Sequence, residues 1–188
     1  MTGIILSGGK NRRMGTNKAF MEIEGEHLIV RTVRLFKELF EHVMIVTNSP
    51  LDYLDLGIQV VTDIYKGKGS LGGIYTGLFF SPSEHAFVAP CDMPFLNKHF
   101  IAAMIGQTAN YDIVVPDPPA GLQPLHAIYA KRCLPVIQKC IMADQLKITA
   151  FYKGFHVLPL GEKMIHPFDP EGRMFLNINF PEDLEHLT

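Results

Sequence analysis

The chain has 188 residues, of which 47% are hydrophobic and 19% are charged; this balance excludes intrinsic disorder and is enough for one sizeable core. Its formal net charge of -2 argues against a general nucleic-acid binder, because affinity for a phosphate backbone depends on clustered lysine and arginine. No apolar run approaches the roughly 20 residues that span a bilayer, and the first apolar run begins at Gly3, which leaves no room for a signal peptide. We therefore expect a cytoplasmic protein with a single domain, residues 1–188, and no membrane segment.

Short apolar runs alternate with longer amphipathic segments along the first two thirds of the chain. Each run is rich in β-branched residues and is followed by a turn-forming residue, a pattern typical of strands. The predicted strands are residues 3–6, 43–46, 58–61, 86–89 and 113–115. Apolar residues recur at helical spacing from Leu28 to Phe40, and shorter helices are predicted at residues 73–80 and 100–105.

The remaining third is less regular. The pattern predicts a strand at residues 125–129, a helix at 134–141 and a strand at 155–158. A final helix is predicted to begin at Pro181, because proline is favoured at the first helical position and the acidic residues that follow favour the first turn.

Apolar strands that alternate with helices predict an α/β fold. We expect a Rossmann-like, three-layer α/β/α architecture with a mostly parallel central sheet. Ligands of such sheets bind outside the carboxyl ends of the strands, and the polar and glycine residues of this chain follow the apolar runs directly. These residues are Ser7, Gly8 and Gly9 after the first run, Thr47 and Asn48 after the second, Thr62 and Asp63 after the third, and Cys91 and Asp92 after Pro90.

The segment after the first strand carries the strongest chemical pattern. Gly8 and Gly9 allow a close approach of the backbone to a ligand, and successive N–H groups of such a loop can cradle phosphates. Arg13 supplies a forked donor and Lys18 a point charge, two common ways to hold a polyphosphate. The alternative is a solvated basic turn; the convergence of these residues on one strand end favours a phosphate loop.

Asp92 follows the fourth predicted strand and lies between Pro90 and Pro94. A carboxylate at a strand end suits Mg²⁺, which is usually held by one or two carboxylates together with substrate phosphates. Such an ion would stabilise negative charge on a reacting phosphate and on a leaving pyrophosphate. The alternative is an aspartate that only forms a turn.

Gly67, Gly69 and Gly72 form a G-x-G-x-x-G pattern that would also suit a dinucleotide-binding unit, with Asp92 as the ribose acid. That pattern should follow a strand immediately, whereas residues 63–66 intervene here. We therefore favour a flexible loop that closes over a nucleotide and is followed by a helix that begins at Gly73.

The first loop, L-S-G-G-K-N-R-R-M-G-T-N-K, resembles the signature loop of the nucleotidyltransferases that include sugar-phosphate and cofactor pyrophosphorylases. Further blocks resemble one branch, the molybdenum cofactor guanylyltransferases. These blocks are G-S-L-G-G-I-Y-T-G-L, P-C-D-M-P-F-L, Q-P-L-H-A-I-Y and N-I-N-F-P-E-D-L. They occur in the order of the family, and the resemblance extends from Gly3 to Leu184.

The resemblance implies transfer of GMP from GTP to the terminal phosphate of molybdopterin, with Mg²⁺ as the cofactor, release of pyrophosphate and formation of the guanine dinucleotide cofactor. It implies transient contacts with cofactor-building and cofactor-accepting enzymes. The implied catalytic residues are Arg13, Lys18 and Asp92, with Asp92 as the metal ligand. The implied nucleotide-binding residues are Leu6, Ser7, Gly8, Gly9, Lys18, Asn48, Asp63 and Asp92, and the implied acceptor-side residues are Asn177 and Asn179.

Alternatives for the substrates, for catalysis and for His126 stay open on the sequence. The related cytidylyltransferase branch usually carries Ala-Ala-Gly where this chain has Ser7, Gly8 and Gly9, so GTP is favoured over CTP; a sugar or polyol phosphate acceptor is a further variant. A nucleotide-binding module without catalysis is the remote alternative. His126 could contact the substrate or serve only a structural role.

Overall fold

The structure is a computed structural model that describes residues 1–8 and 18–178. Gly9, Arg13, Asn179 and the helix predicted at Pro181 lie outside the described residues. The strands are β1 Thr2–Ser7, β2 Glu22–Ile23, β3 Glu26–His27, β4 His42–Thr47, β5 Gln59–Thr62, β6 His85–Pro90, β7 Ile113–Asp117, β8 Ala127–Ala130 and β9 Val157–Gly161. The helices are α1 Leu28–Leu39, α2 Gly69–Phe80, α3 Lys98–Ile105, α4 Leu134–Met142 and α5 Glu162–Ile165.

A sheet with the strand order β5-β4-β1-β6-β8-β7-β9 forms the centre of the described fold. The chain builds outward from β1 through β4 to β5 and then crosses to the other side of β1 to form β6. Each of these neighbouring pairs is parallel, whereas β8 runs antiparallel to both β6 and β7. The predicted mostly parallel sheet is therefore confirmed, and the change of direction in strand order lies between β1 and β6.

Helices cover both faces of this sheet. Ile4 and Ile5 of β1 are both fully buried, but they belong to different hydrophobic clusters, because successive side chains of a strand point to opposite faces. Ile4 packs in the cluster that includes side chains of α2 and α4, and Ile5 in the cluster that includes side chains of α1 and α3. This arrangement confirms the predicted three layers.

Helix α2 begins at Gly69, so the sequence-based boundary at Gly73 was wrong by one turn. Residues 69–72, predicted to belong to a flexible loop, are helical; Leu71 is fully buried in the core and anchors this first turn. The helix lies close to β1, since a Cβ atom added at Gly77 would be 2.6 Å from Ile4 Cγ2. Glycine is required at that position by the contact between helix and strand.

The strand, helix and strand predicted at residues 125–129, 134–141 and 155–158 are confirmed with shifted boundaries. β8 begins at Ala127, after a turn in which the N–H of His126 donates to the carbonyl of Gln123 at 2.9 Å. β9 begins at Val157, after a turn that ends at Phe155. Within the part of the chain that the structure describes, none of the helices is long and apolar enough to cross a membrane.

Candidate active site

The polar residues that follow β5, β4, β1 and β6 lie along one edge of the sheet. Ser7 of β1 pairs with Thr47 of β4, and Thr47 pairs with Thr62 of β5. On the other side of β1, Leu6 pairs with Pro90 of β6. The next residues along the four strands therefore meet at this edge; they are Asp63, Asn48, Gly8 and the pair Cys91 and Asp92.

Ser7 is buried at the end of β1 and contacts two side chains. Its Oγ lies 2.6 Å from the hydroxyl of Tyr53 and 3.3 Å from Sγ of Cys91. The backbone N–H of Cys91 also donates to the carbonyl of Leu6 at 3.1 Å. These contacts fix the ends of β1 and β6 to each other and leave Gly8 exposed.

Asp92 lies half-buried in the turn after β6, and Lys18 begins the 3₁₀ turn Lys18–Phe20 near it. Burial raises the pKa of the Asp92 carboxyl, and the Lys18 charge opposes that shift without cancelling it. A buried carboxylate gains from a nearby cation because desolvation penalises its charged form. The site is thus arranged so that a cation at Asp92 would stabilise its ionised state.

The donor set around Asp92 fits Mg²⁺ bound partly through a substrate. Across residues 1–8 and 18–178, no cluster of three or more His, Cys, Asp or Glu side chains could hold a metal ion alone. Mg²⁺ is commonly held by one or two carboxylates, with phosphates and water as the remaining ligands. Asp92 could supply the carboxylate in such a site.

Asp63 is buried after β5, and a fixed hydrogen-bond network holds it. Thr76 Oγ1 donates to Asp63 Oδ1 at 3.0 Å, and the N–H of Tyr65 donates to the same oxygen at 3.1 Å. Burial raises the pKa of this carboxyl, and the hydrogen bonds from Thr76 and Tyr65 and the charge of Lys66 oppose the shift. The carboxyl group is therefore held in one orientation before any ligand binds.

The segment between β5 and α2 contacts α4 and the turn that follows it. Gln138 Nε2 donates to the Tyr65 hydroxyl at 2.8 Å, and Lys68 Nζ donates to Asp144 Oδ1 at 2.9 Å. With α2 beginning at Gly69, the non-helical part of this segment is shorter than the sequence suggested. Closure of this segment over a nucleotide stays a prediction.

The C-terminal segment reaches the same edge through Ile178, whose N–H donates to the carbonyl of Asp92 at 2.9 Å. Its neighbour Asn177 is exposed, as is Asn48 beyond β4. Asn177 is thus adjacent in sequence to a residue that is hydrogen-bonded to Asp92, while Asn179 lies outside the described residues.

His126 has the structural role, and the alternative of a substrate contact was wrong. The ring is fully buried and packs against the rings of Phe87, Phe100 and Phe175. Neither ring nitrogen has a hydrogen-bond partner in the described part of the chain. Burial lowers the pKa of His126 to about 3, which keeps the imidazole neutral inside this aromatic cluster.

Three residues at the site were missed by the sequence analysis, namely Tyr53, Thr76 and Cys91 as a side-chain partner. Thr76 offered a weak signal, because it is a polar residue inside the otherwise apolar helix G-I-Y-T-G-L-F-F. Tyr53 offered none, since a tyrosine in the segment P-L-D-Y is unremarkable by composition.

Known proteins resemble this chain over most of its length. The family profile described as the MobA-like NTP transferase domain matches residues 3–155. A molybdenum cofactor guanylyltransferase of Desulfosudis oleivorans is 40% identical over 187 residues, which cover 98% of this chain and 93% of that protein.

Solved structures show the same architecture. Molybdopterin-guanine dinucleotide biosynthesis protein A of Archaeoglobus fulgidus aligns with a TM-score of 0.82 and 26% identity, covering 99% of this chain and 96% of that one. A 4-diphosphocytidyl-2C-methyl-D-erythritol synthase of Anaerococcus prevotii aligns with a TM-score of 0.71 and 14% identity, covering 98% and 92%. This second likeness concerns the fold alone.

Proposed function

The chain belongs to the MobA-like NTP transferase family, and on that premise we propose that it transfers GMP from GTP to the terminal phosphate of molybdopterin and releases pyrophosphate. The product is the guanine dinucleotide form of the cofactor. The relative of Desulfosudis oleivorans, similar over nearly the whole of both chains, supports this activity. The observation that carries the proposal is the meeting of Ser7, Asp63 and Asp92 at one edge of the sheet.

The nucleotide lies across the carboxyl ends of β1, β4 and β5 in this proposal. Leu6, Ser7 and Gly8 contact the guanine base, and Asn48 and Asp63 complete the nucleotide side. The burial of Ser7 and the fixed orientation of Asp63 support these roles, because preorganised groups bind with a smaller loss of conformational freedom. Gly9 is assigned to the same side on the family resemblance alone.

The chemistry needs no nucleophile from the protein. A phosphate oxygen of the acceptor attacks the α-phosphorus of GTP and forms the new P–O bond, while the bond to the bridging oxygen of the β-phosphate breaks and pyrophosphate leaves. Lys18 and Arg13 hold the triphosphate, so that the attacking and leaving oxygens are aligned. Positioning of this kind supplies much of the catalysis of a displacement between two bound reactants.

Asp92 would hold Mg²⁺ in this scheme, and the ion would supply neutralisation of negative charge on the phosphates. The position of Asp92 supports the assignment: its carboxyl is half-buried, and the Lys18 charge acts on it. Lys18 favours the ionised carboxylate that metal binding requires.

The acceptor approaches from the side of the C-terminal segment. Ile178 is hydrogen-bonded to the backbone of Asp92, and this contact supports a role for its exposed neighbour Asn177 near the turn that contains Asp92. Asn177 and Asn179 contact the pterin in our proposal. We further propose that residues 1–188 act as a single domain and make transient contacts with the enzymes that supply and receive the cofactor.

Titration calorimetry with GTP, ATP, CTP and UTP, each with and without Mg²⁺, tests the proposal. We expect a clear preference for GTP and tighter binding in the presence of Mg²⁺, followed by pyrophosphate release when molybdopterin is added. A preference for CTP would move the chain to the cytidylyltransferase branch with the same chemistry. Absence of triphosphate binding would overturn the proposal, and binding without Mg²⁺-dependent pyrophosphate release would identify a non-catalytic module.

A further inference from the structure

Tyr53 lies behind the proposed nucleotide site and is almost completely buried, with 1% of its surface exposed. It belongs to the 3₁₀ segment Pro50–Leu56, which follows β4. Its hydroxyl lies 2.6 Å from Oγ of Ser7, a short distance that is usual for a good O–H···O hydrogen bond. Because the side chain is buried, a hydroxyl at this position requires such a partner.

Ser7 in turn contacts the turn after β6 that contains Asp92. Ser7 Oγ lies 3.3 Å from Sγ of Cys91, and Cys91 directly precedes Asp92. A line of buried polar groups therefore runs from Tyr53 through Ser7 to the residue beside Asp92.

The ring of Tyr53 makes a second connection. It packs against Phe20 with a distance of 5.4 Å between the ring centroids. Phe20 belongs to the same 3₁₀ turn as Lys18, which acts on the charge of Asp92. One side chain thus contacts the end of β1 and the Lys18 turn directly, and it reaches the turn after β6 through Ser7.

We propose that Tyr53 is a positioning residue, whose hydroxyl holds Ser7 so that the guanine-binding end of β1 keeps a fixed place relative to the Asp92 turn. This inference rests on the proposed function. Tyr53 contacts no substrate in this scheme; it acts through Ser7. Its hydroxyl positions Ser7 at the guanine end of GTP, whereas Lys18 and Arg13 bind the triphosphate.

The variant Tyr53→Phe separates the two connections, because it removes the hydroxyl and keeps the ring that packs on Phe20. We expect GTP to bind about three- to tenfold more weakly, the range that one lost hydrogen bond of ordinary strength gives. The loss should appear in KM for GTP with little change in kcat. The inhibition constant of pyrophosphate should stay unchanged, because pyrophosphate occupies only the phosphate end.

Tyr152→Phe is the matched control. Its hydroxyl lies 2.8 Å from the hydroxyl of Tyr129, in a buried pair within the hydrophobic cluster on the α2 and α4 side of the sheet. This variant also removes one buried hydroxyl, so its loss of thermal stability is comparable, but we expect its affinity for GTP to match the wild type. An equal loss of GTP affinity in both variants would show a general effect on the fold and would overturn the inference.

A double-mutant cycle tests whether Tyr53 acts through Ser7. The affinities for GTP and pyrophosphate are measured for Tyr53→Phe, Ser7→Ala and the double variant. If the hydroxyl acts through Ser7, the double variant loses no more GTP affinity than Ser7→Ala alone, because effects that share one contact are not additive. Additive losses, or unchanged GTP affinity in a folded Tyr53→Phe protein, would overturn the inference about Tyr53 but would not affect the proposed function. A wild-type protein that binds no GTP would overturn the proposed function with it.

Discussion

Thr76 Oγ1 donates a hydrogen bond to Asp63 Oδ1 and accepts one from the N–H of Ile64, both at 3.0 Å. The N–H of Tyr65 donates to the same carboxyl oxygen. Among the described residues, none donates to Oδ2 of Asp63, so this second oxygen is the one that a ligand can use. Helix α2 therefore sets the orientation of the Asp63 carboxyl group, which follows β5.

Thr76→Val should weaken GTP binding. Valine has nearly the same shape as threonine, but it removes the donor to Asp63 and the acceptor for Ile64. Loss of a hydrogen bond to a carboxylate lowers the free energy of unfolding by about 1.5–3 kcal/mol, and Asp63 is then free to turn away from the nucleotide. Calorimetry with GTP and chemical denaturation measure the two effects.

Thr32→Val is the control for this variant. Thr32 is also buried in a helix, and its Oγ1 donates to the carbonyl of Leu28 at 2.9 Å in α1. We expect a smaller loss of stability and unchanged affinity for GTP. Unchanged GTP affinity in a folded Thr76→Val protein would show that the orientation of Asp63 does not matter for binding.

Gly72→Ala should disturb the same carboxyl group by crowding. A Cβ atom at Gly72 would lie 2.9 Å from the carbonyl oxygen of Tyr65 and 3.3 Å from both carboxyl oxygens of Asp63. Alanine normally stabilises a helix relative to glycine by about 1 kcal/mol, but here the crowding reverses the sign. We expect a lower melting temperature and weaker GTP binding. Gly161→Ala is the control, because the added Cβ would meet no heavy atom within 4 Å; it should change neither the melting temperature nor the affinity for GTP. Equal losses of melting temperature and GTP affinity in the two variants would refute the crowding argument.

Asp92→Asn should abolish turnover and keep the fold. The change preserves the size of the side chain and removes the charge that would hold Mg²⁺. Because burial raises the pKa of Asp92, the charged form is disfavoured in the folded state, and its removal should leave the free energy of unfolding unchanged or higher. Pyrophosphate release and the Mg²⁺ dependence of GTP binding measure the effect. Normal turnover by a folded Asp92→Asn protein would disprove the metal assignment.

Most of the fold was predictable because its strands are short apolar runs that end at turn residues. β1 and β6 match the predicted ranges, each with one further residue at either end. The start of α2 was wrong because the glycines before it have the composition of a loop, whereas the burial of Leu71 in the folded core makes the turn helical. The antiparallel direction of β8 could not be predicted, since a hydrophobic pattern is the same in either direction.

The candidate site was predictable to the extent that it depends on strand ends. Asp63 follows β5 directly and Asp92 follows β6 after Cys91, and parallel strands bring such residues to one edge. Tyr53 and Thr76 were missed because their roles depend on tertiary contacts with Ser7 and Asp63, which lie 46 and 13 residues away. No local pattern marks a contact across that separation.

His126→Phe should remove a pH dependence of stability. In the folded protein burial lowers the pKa of His126 from 6.5 to about 3, so the unfolded chain binds a proton at a pH where the folded chain does not. Stability is therefore lost as the pH falls below the pKa of His126 in the unfolded chain, and the loss continues until the pH reaches the pKa of His126 in the folded protein. Between about pH 7.5 and about pH 5, we expect His126 to account for a loss of about 2 kcal/mol.

The comparison of wild type and His126→Phe by urea denaturation at both pH values isolates this contribution, because the other titrating groups are common to both proteins. Phenylalanine fits an aromatic cluster that already contains Phe87, Phe100 and Phe175, and it removes two buried nitrogens that have no partner among the described residues. The variant should thus be more stable at both pH values, and most clearly so at the lower one. His99→Ala, a change at an exposed position on α3, should keep the wild-type pH dependence. If His126→Phe loses as much stability on acidification as the wild type, the imidazole accepts a proton inside the folded protein, and burial does not exclude its charged form.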